Sequence, residues 1–194
     1  MCGRYLFSQS AGEELTRLAA AFQSQTGEPA PQGDISPGSF APVLLAEGIC
    51  RMRWGYSGFS GRGLLINARA ESAAQKPAFR EAVRCRRCAL PASGFYEWDA
   101  RGQRYRFWLP QQPLFYMAGL WETFEEERRF VILTGAPNSS IEDIHNRMPV
   151  LLDRDQLSVW LREPERALSL LLRQPPACAR APEENFPEQL SFFS

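Results

Sequence analysis

Hydrophobic and polar positions alternate in short runs through most of this chain, and its two ends carry the longest stretches of helical spacing. Gly3 to Phe7 predicts a short strand. Ser10-Ala11-Gly12-Glu13 has the form of a capping box, and Leu15, Leu18, Ala19 and Phe22 follow at helical intervals. Residues 24–38, rich in Gly, Pro, Gln and Ser, predict a loop. Ala41–Ala46 and Ile49–Trp54 predict a hairpin around Glu47-Gly48, Leu64–Ala68 a strand and Pro77–Arg84 a short helix. The runs Cys88–Leu90, Gly94–Trp98, Arg104–Leu109, Leu114–Trp121 and Arg129–Thr134 predict a strand-rich centre. Ser139–Ile144 reads as one or two helical turns and Met148–Leu152 as a last strand. Gln156–Arg162 and Glu165–Arg173 predict amphipathic helices, ended by Pro175-Pro176. From about residue 177 the chain is rich in Pro and Glu and is expected to be a loosely attached tail. The pattern predicts an α+β fold in one domain, residues 1–194, with a mostly antiparallel, curved sheet tending toward a barrel.

Composition agrees with a packed domain: 44% of the 194 residues are hydrophobic and 12% aromatic. No apolar run reaches the ~20 residues of a membrane span, and no leader is expected. Five cysteines, an odd and scattered set, suit a reducing cytoplasm. The net charge is zero, but residues 1–110 hold 14 basic and 9 acidic side chains, and the remainder holds 8 and 13. All the basic residues but Lys76 are arginine, whose planar fork suits phosphate.

Cys2 is the first candidate for chemistry. If Met1 is removed, one residue carries a free α-amine and a thiol. The amine can condense with an aldehyde, and the thiol can then close a five-membered thiazolidine on the same carbon. Both groups titrate near neutrality when unperturbed, at about 8 and about 8.5. The alternative is that Cys2 is merely a small residue after the start.

Further candidates are fewer than the motifs suggest. His145 is the only histidine, suited either to proton transfer or to a structural hydrogen bond. Glu97 stands between Tyr96 and Trp98. In an apolar pocket its pKa would rise and make it a proton donor; at a strand edge it would be ordinary. Asn67, Arg69 and Glu71 alternate with small alanines, so they share one face of a strand. Cys85 and Cys88 form a CxxC, but with one histidine elsewhere they complete no zinc site. Trp54-Gly55-Tyr56 follows Arg51 and Arg53, a mixture that can stack bases or simply fill a strand. No Gly-rich phosphate loop, zinc-finger spacing or Gly-Xaa-Ser-Xaa-Gly elbow is present. No cofactor or metal is expected.

Five of these segments occur together and in order: MCGRY at 1–5, WG at 54–55, INARAES at 66–72, RRCALPASGFYEW at 86–98 and IHNRMPV at 144–150. The set resembles the SRAP (SOS-response-associated peptidase) family, whose members crosslink to abasic sites in single-stranded DNA. The resemblance implies an α+β pseudo-barrel with a bifurcated sheet. It implies that processed Cys2 is the nucleophile, that Asn67 positions the N-terminus and sugar, that Glu97 is the acid/base and that His145 is the second proton-transfer group. It implies that Arg4, Arg69 and Arg147 hold phosphates, with Pro37, Trp54, Gly55 and Met148 along the path of the DNA. The asparagine usual before Pro37 is absent, and Tyr56-Ser57-Gly58 replaces an apolar run after Trp-Gly.

The expectation is a cytoplasmic protein, nucleoid-associated on damaged DNA, that shields abasic sites covalently through a Schiff base and a thiazolidine, with a minor lyase activity. No membrane or obligate protein partner is expected. Two alternatives stand beside it. One is an N-terminal-nucleophile thiol peptidase or amidotransferase-like hydrolase; the other is a non-catalytic binder of single-stranded DNA.

Overall fold

The computed structural model describes residues 2–58 and 63–183. The chain opens with β1 (Tyr5–Phe7), a 3-10 turn at Gln9–Ala11 and helix α1 (Glu13–Thr26). β2 (Gly33–Ile35) follows, then the predicted hairpin of β3 (Phe40–Leu45) and β4 (Gly48–Trp54). Short β5 (Tyr56–Ser57) and β6 (Leu64–Leu65) precede β7 (Asn67–Arg69), α2 (Ala70–Ala73) and α3 (Arg80–Cys85). The centre holds β8 (Arg87–Ala92), β9 (Gly94–Trp98), β10 (Arg104–Trp108), β11 (Phe115–Phe124) and β12 (Glu127–Gly135). β13 (Met148–Pro149) and β14 (Leu151–Leu152) lead to α4 (Arg154–Arg162), α5 (Pro164–Leu170) and β15 (Ala179–Pro182).

Five strands close a ring in the order β12, β4, β3, β8, β11 and back to β12. Closure comes from a parallel pairing, Arg129↔Arg53 and Phe130↔Trp54. Further along the same edge β12 changes partner to β7, with Ile132↔Asn67 and Thr134↔Arg69. Its other edge passes from β11 to β13. The sheet therefore forks along β12. A second antiparallel sheet, ordered β15, β10, β9, β1, β2, carries the N-terminal segment.

Period-2 alternation divides the core in two. On β12, Phe130 and Ile132 enter one apolar cluster with Trp54, Met52 and Phe95, while Val131 and Leu133 enter another with Trp160 and Ala167. On β11, Phe115 and Met117 join the first, and Tyr116, Ala118 and Leu120 the second. Both faces of the central strands are thus covered, which is why their sequences read as nearly continuous apolar runs.

Three expectations need correction. The Ser10–Glu13 capping box does not form: Gly12 is the N-cap of α1 without a side-chain bond, because Ser10 is taken into the preceding 3-10 turn. A reciprocal capping box exists instead at Asp153–Gln156, so the helix expected from Gln156 starts at Arg154. The tail expected to be loose from 177 contributes β15, which pairs with β10 from Trp108↔Ala179 to Tyr105↔Pro182 and covers that sheet edge. The remainder of that tail, and the state of Met1, lie outside the described residues. Among the described residues no helix is long and apolar enough to cross a membrane.

Candidate active site

Four of the predicted residues meet at the start of β1. Cys2 is fully buried. Its carbonyl accepts a 3.0 Å hydrogen bond from Asn67 Nδ2, and its Sγ lies 3.6 Å from Arg4 O. Asn67 reaches it because the pairing of β7 with β12 sets the start of β7 against the ring. Glu97 arrives from β9, which pairs with β1 through Tyr5↔Phe95, with the Tyr96 N–H on Arg4 O at 3.0 Å. Its carboxyl is 1% exposed, and Oε2 lies 4.0 Å from His145 Nε2. His145, 23% exposed, forms the solvent side of the group.

Burial sets the protonation states. It pushes the Glu97 carboxyl up to about 7, so near neutrality this group both gives and takes a proton. Burial first, then the charge of Glu97, pushes the Cys2 thiol up, so it stays an S–H at physiological pH. Burial also lowers the pKa of His145. The Arg147 N–H donates to His145 Nδ1 at 3.1 Å. The Arg147 carbonyl lies 3.2 Å from the same nitrogen, so Arg147 anchors the Nδ1 edge in either tautomer and Nε2 is the atom facing Glu97.

The arginines flank this group unequally. Arg69 is exposed at the end of β7. Arg4 pairs with Asp34 at 3.4 Å. The Arg147 fork is already taken: Glu71 accepts from Nη1 and Nη2 at 2.5 and 2.8 Å, and Nη2 also donates to Thr134 O. Pro37 is half-buried in the turn between β2 and β3.

Trp54, Gly55 and Met148, expected along the path of the DNA, are all buried. Trp54 is fully buried. Its indole donates to Ile66 O at 3.0 Å and its ring stacks on Phe130 at 6.0 Å and meets Tyr5 at 5.4 Å. No face is left for a base. Gly55 adopts φ +106, and a Cβ there would stand 3.0 Å from Leu64 Cβ; its N–H donates to Phe130 O at 2.8 Å. The pair is a closure element of the ring. Met148 is 1% exposed, inside the core. Cys85 is exposed at the end of α3 and Cys88 buried in β8, so the CxxC thiols occupy different environments. Among the described residues no three His, Cys, Asp or Glu side chains are grouped to hold a metal.

Sequence reasoning missed Thr134, Asp34 and Asn138. Asn138 is buried and uses its amide on two carbonyls, Pro175 O at 3.1 Å and Pro176 O at 2.8 Å. Its one signal is local, an asparagine two residues before Ser140 in a polar turn.

The chain matches the model of the family described as SOS response associated peptidase (SRAP) over residues 1–183. Abasic site processing protein YoaM of Bacillus subtilis is 30% identical over 198 residues, covering 89% of this chain and 86% of YoaM. Abasic site processing protein YedK of Escherichia coli is 31% identical over 180 residues, covering 84% and 80%. A solved protein of Bacteroides thetaiotaomicron shares the fold with a TM-score of 0.77, at 24% identity over 95% of this chain and 93% of that one. With the motif set, the ring and the family match in agreement, the chain belongs to the SRAP family.

Proposed function

We propose that this protein processes abasic sites in single-stranded DNA, and that Cys2, freed by loss of Met1, links covalently to the sugar. The observation that carries the reading is the grip of Asn67 on the Cys2 carbonyl, with Glu97 and His145 beside it. The names of YoaM and YedK, abasic site processing proteins, support the substrate.

The chemistry begins at the amine, because the Cys2 thiol stays protonated. The α-nitrogen adds to C1′ of the ring-opened sugar and forms a carbinolamine. Protonated Glu97 gives its proton to the departing hydroxyl, water leaves and a protonated imine remains, its nitrogen keeping one hydrogen. Sγ then attacks the imine carbon, the C–N π pair returns to nitrogen, and Glu97, now a carboxylate, takes the thiol proton and is restored. The sum is one water lost and no oxidant consumed. His145 Nε2 serves as the second proton carrier, and Asn67 holds the N-terminal residue in place. The imine also acidifies C2′, which allows β-elimination as a side reaction. Arg4 and Arg69 flank the strand and hold its phosphates, Arg147 joining them where a phosphate displaces Glu71, which makes affinity salt-dependent. Peptidase or amidotransferase chemistry asks for a thiolate at neutral pH, and the buried thiol opposes it.

The test is incubation with a single-stranded oligonucleotide bearing one abasic site, after intact mass has established loss of Met1. Wild type should give an adduct that resists denaturation, with a mass one water below the sum of its parts. Cys2→Ala should give none. A processed wild type without adduct would overturn the reading.

A further inference from the structure

The loop that carries His145 is gripped from both sides. On the inner side Ile141 is fully buried, and the His145 N–H donates to Ile141 O at 2.9 Å. On the outer side the C-terminal chain holds it. The Asn138 amide donates to the carbonyls of Pro175 and Pro176, while its Oδ1 accepts from Ser140 N at 3.0 Å and Ser140 Oγ at 2.5 Å. Ser140 Oγ in turn accepts the Cys178 N–H at 3.0 Å. Arg180, on β15, forks onto Asp143 at 2.5 and 2.8 Å and reaches Ser140 O at 3.2 Å.

These bonds close a circuit. β15 is hydrogen-bonded to β10 and β10 to β9, the strand of Glu97. A chain of backbone ladders therefore runs from Glu97 to Arg180, and a side-chain clamp completes it to the His145 loop. Nothing in the reaction touches Asn138 or Arg180. Asn138 is also 7% exposed with both ends of its amide used, an arrangement that fixes one loop geometry.

We infer that Pro175–Arg180 is a clamp that sets His145 against Glu97, with Asn138 and Arg180 as its positioning residues. The functional part of this inference rests on the proposed proton transfer between sugar, Glu97 and His145; the geometric part does not. Among the described residues, the charged groups that face the imidazole are Glu97 and Arg147. None belongs to the clamp, so a change in the ring after clamp mutation reports displacement.

A single histidine makes the experiment clean, because the imidazole proton resonances have one source. Asn138→Ala and Arg180→Lys both preserve net charge, and Arg180→Lys removes the fork that spans Asp143 and Ser140 O at a half-exposed pair. In wild type the imidazole should titrate below its ordinary 6.5. In both variants the midpoint should move up toward that value, further for Asn138→Ala. Crosslinking to an abasic oligonucleotide should slow about tenfold in Asn138→Ala, as expected when a proton carrier is displaced. In a His145→Ala background the same substitution should change the rate less than about twofold, since its target is gone. An unmoved imidazole midpoint in both variants, or an equal slowing in the His145→Ala background, overturns the clamp. Should Asn138→Ala not fold, Arg180→Lys decides by the same two readouts. If wild type forms no adduct, the functional reading fails, and the imidazole titration still tests the geometry.

Discussion

Asn67 Nδ2 holds the carbonyl of Cys2 at 3.0 Å, a contact spanning 65 positions of sequence. It joins the start of the chain to the strand that forks off β12. Asn67→Ala removes the donor, leaves a buried carbonyl unpaired and should cost about 1–3 kcal/mol in urea unfolding. Adduct formation with an abasic oligonucleotide should fall by more than this stability loss explains, because the N-terminal residue is no longer oriented. Unchanged adduct yield at a lower melting point would show Asn67 to be structural alone.

Glu97 should make stability pH-dependent. Its native pKa is raised from 4.5 to about 7. Between those values the folded state binds more protons than the unfolded one, so stability falls as pH rises. The contribution is fully present below 4.5 and lost by somewhat above 7, roughly 3 kcal/mol at the upper bound. Unfolding of wild type and Glu97→Gln across this window is the check: the glutamine variant should lose the slope. The crosslinking rate should likewise decline above about pH 7 in wild type as the Glu97 proton donor is lost.

Trp54 belongs to the core, so Trp54→Ala should lower stability by about 3–5 kcal/mol. Trp54→Phe should melt earlier than wild type yet bind intact single-stranded DNA with the same affinity. A selective loss of DNA binding by a stable Trp54→Phe would return the ring to the interface. Gly55→Ala should also destabilise, by about 1–3 kcal/mol, because φ +106 and the Leu64 contact both exclude a side chain.

Glu71 competes for the fork that phosphate would use on Arg147. Glu71→Gln should tighten binding of intact single-stranded DNA at low salt. It should also steepen the dependence of log affinity on log salt by about 0.7, one added phosphate contact. Fluorescence anisotropy at several salt concentrations measures both. Weaker binding with an unchanged slope would show that Glu71 orients Arg147 instead.

The β11–β12 hairpin turns through Glu125 at φ 48 and Glu126 at φ 71, both in the left-handed region. Asn and Gly suit such positions far better. Glu125→Asn combined with Glu126→Gly should raise stability by about 1 kcal/mol, read as a higher denaturation midpoint.

By itself the sequence determined the strands of the centre, the β3–β4 hairpin and the terminal helices, and through the motif resemblance it singled out Cys2, Asn67, Glu97 and His145 as candidates. The elements have local marks, alternation and helical spacing; the candidates have weaker ones, a lone histidine, a carboxylate among aromatics, a cysteine after the initiator, which the ordered motif set brings together. Tertiary structure decided what those marks leave open. An aromatic strand reads the same whether its rings meet bases or a core, and only the parallel pairing of Phe130 with Trp54 settles that Trp54 points inward. Arg147 reads as a free cation until β7 and α2 bring Glu71 to it. The segment from about 177 reads as loose because its partners, β10 and Ser140, lie far back in the chain. Periodicity reports which faces are apolar; it carries no information on which distant edge pairs with which, and burial, ion pairing and the pKa values of the site all follow from that pairing.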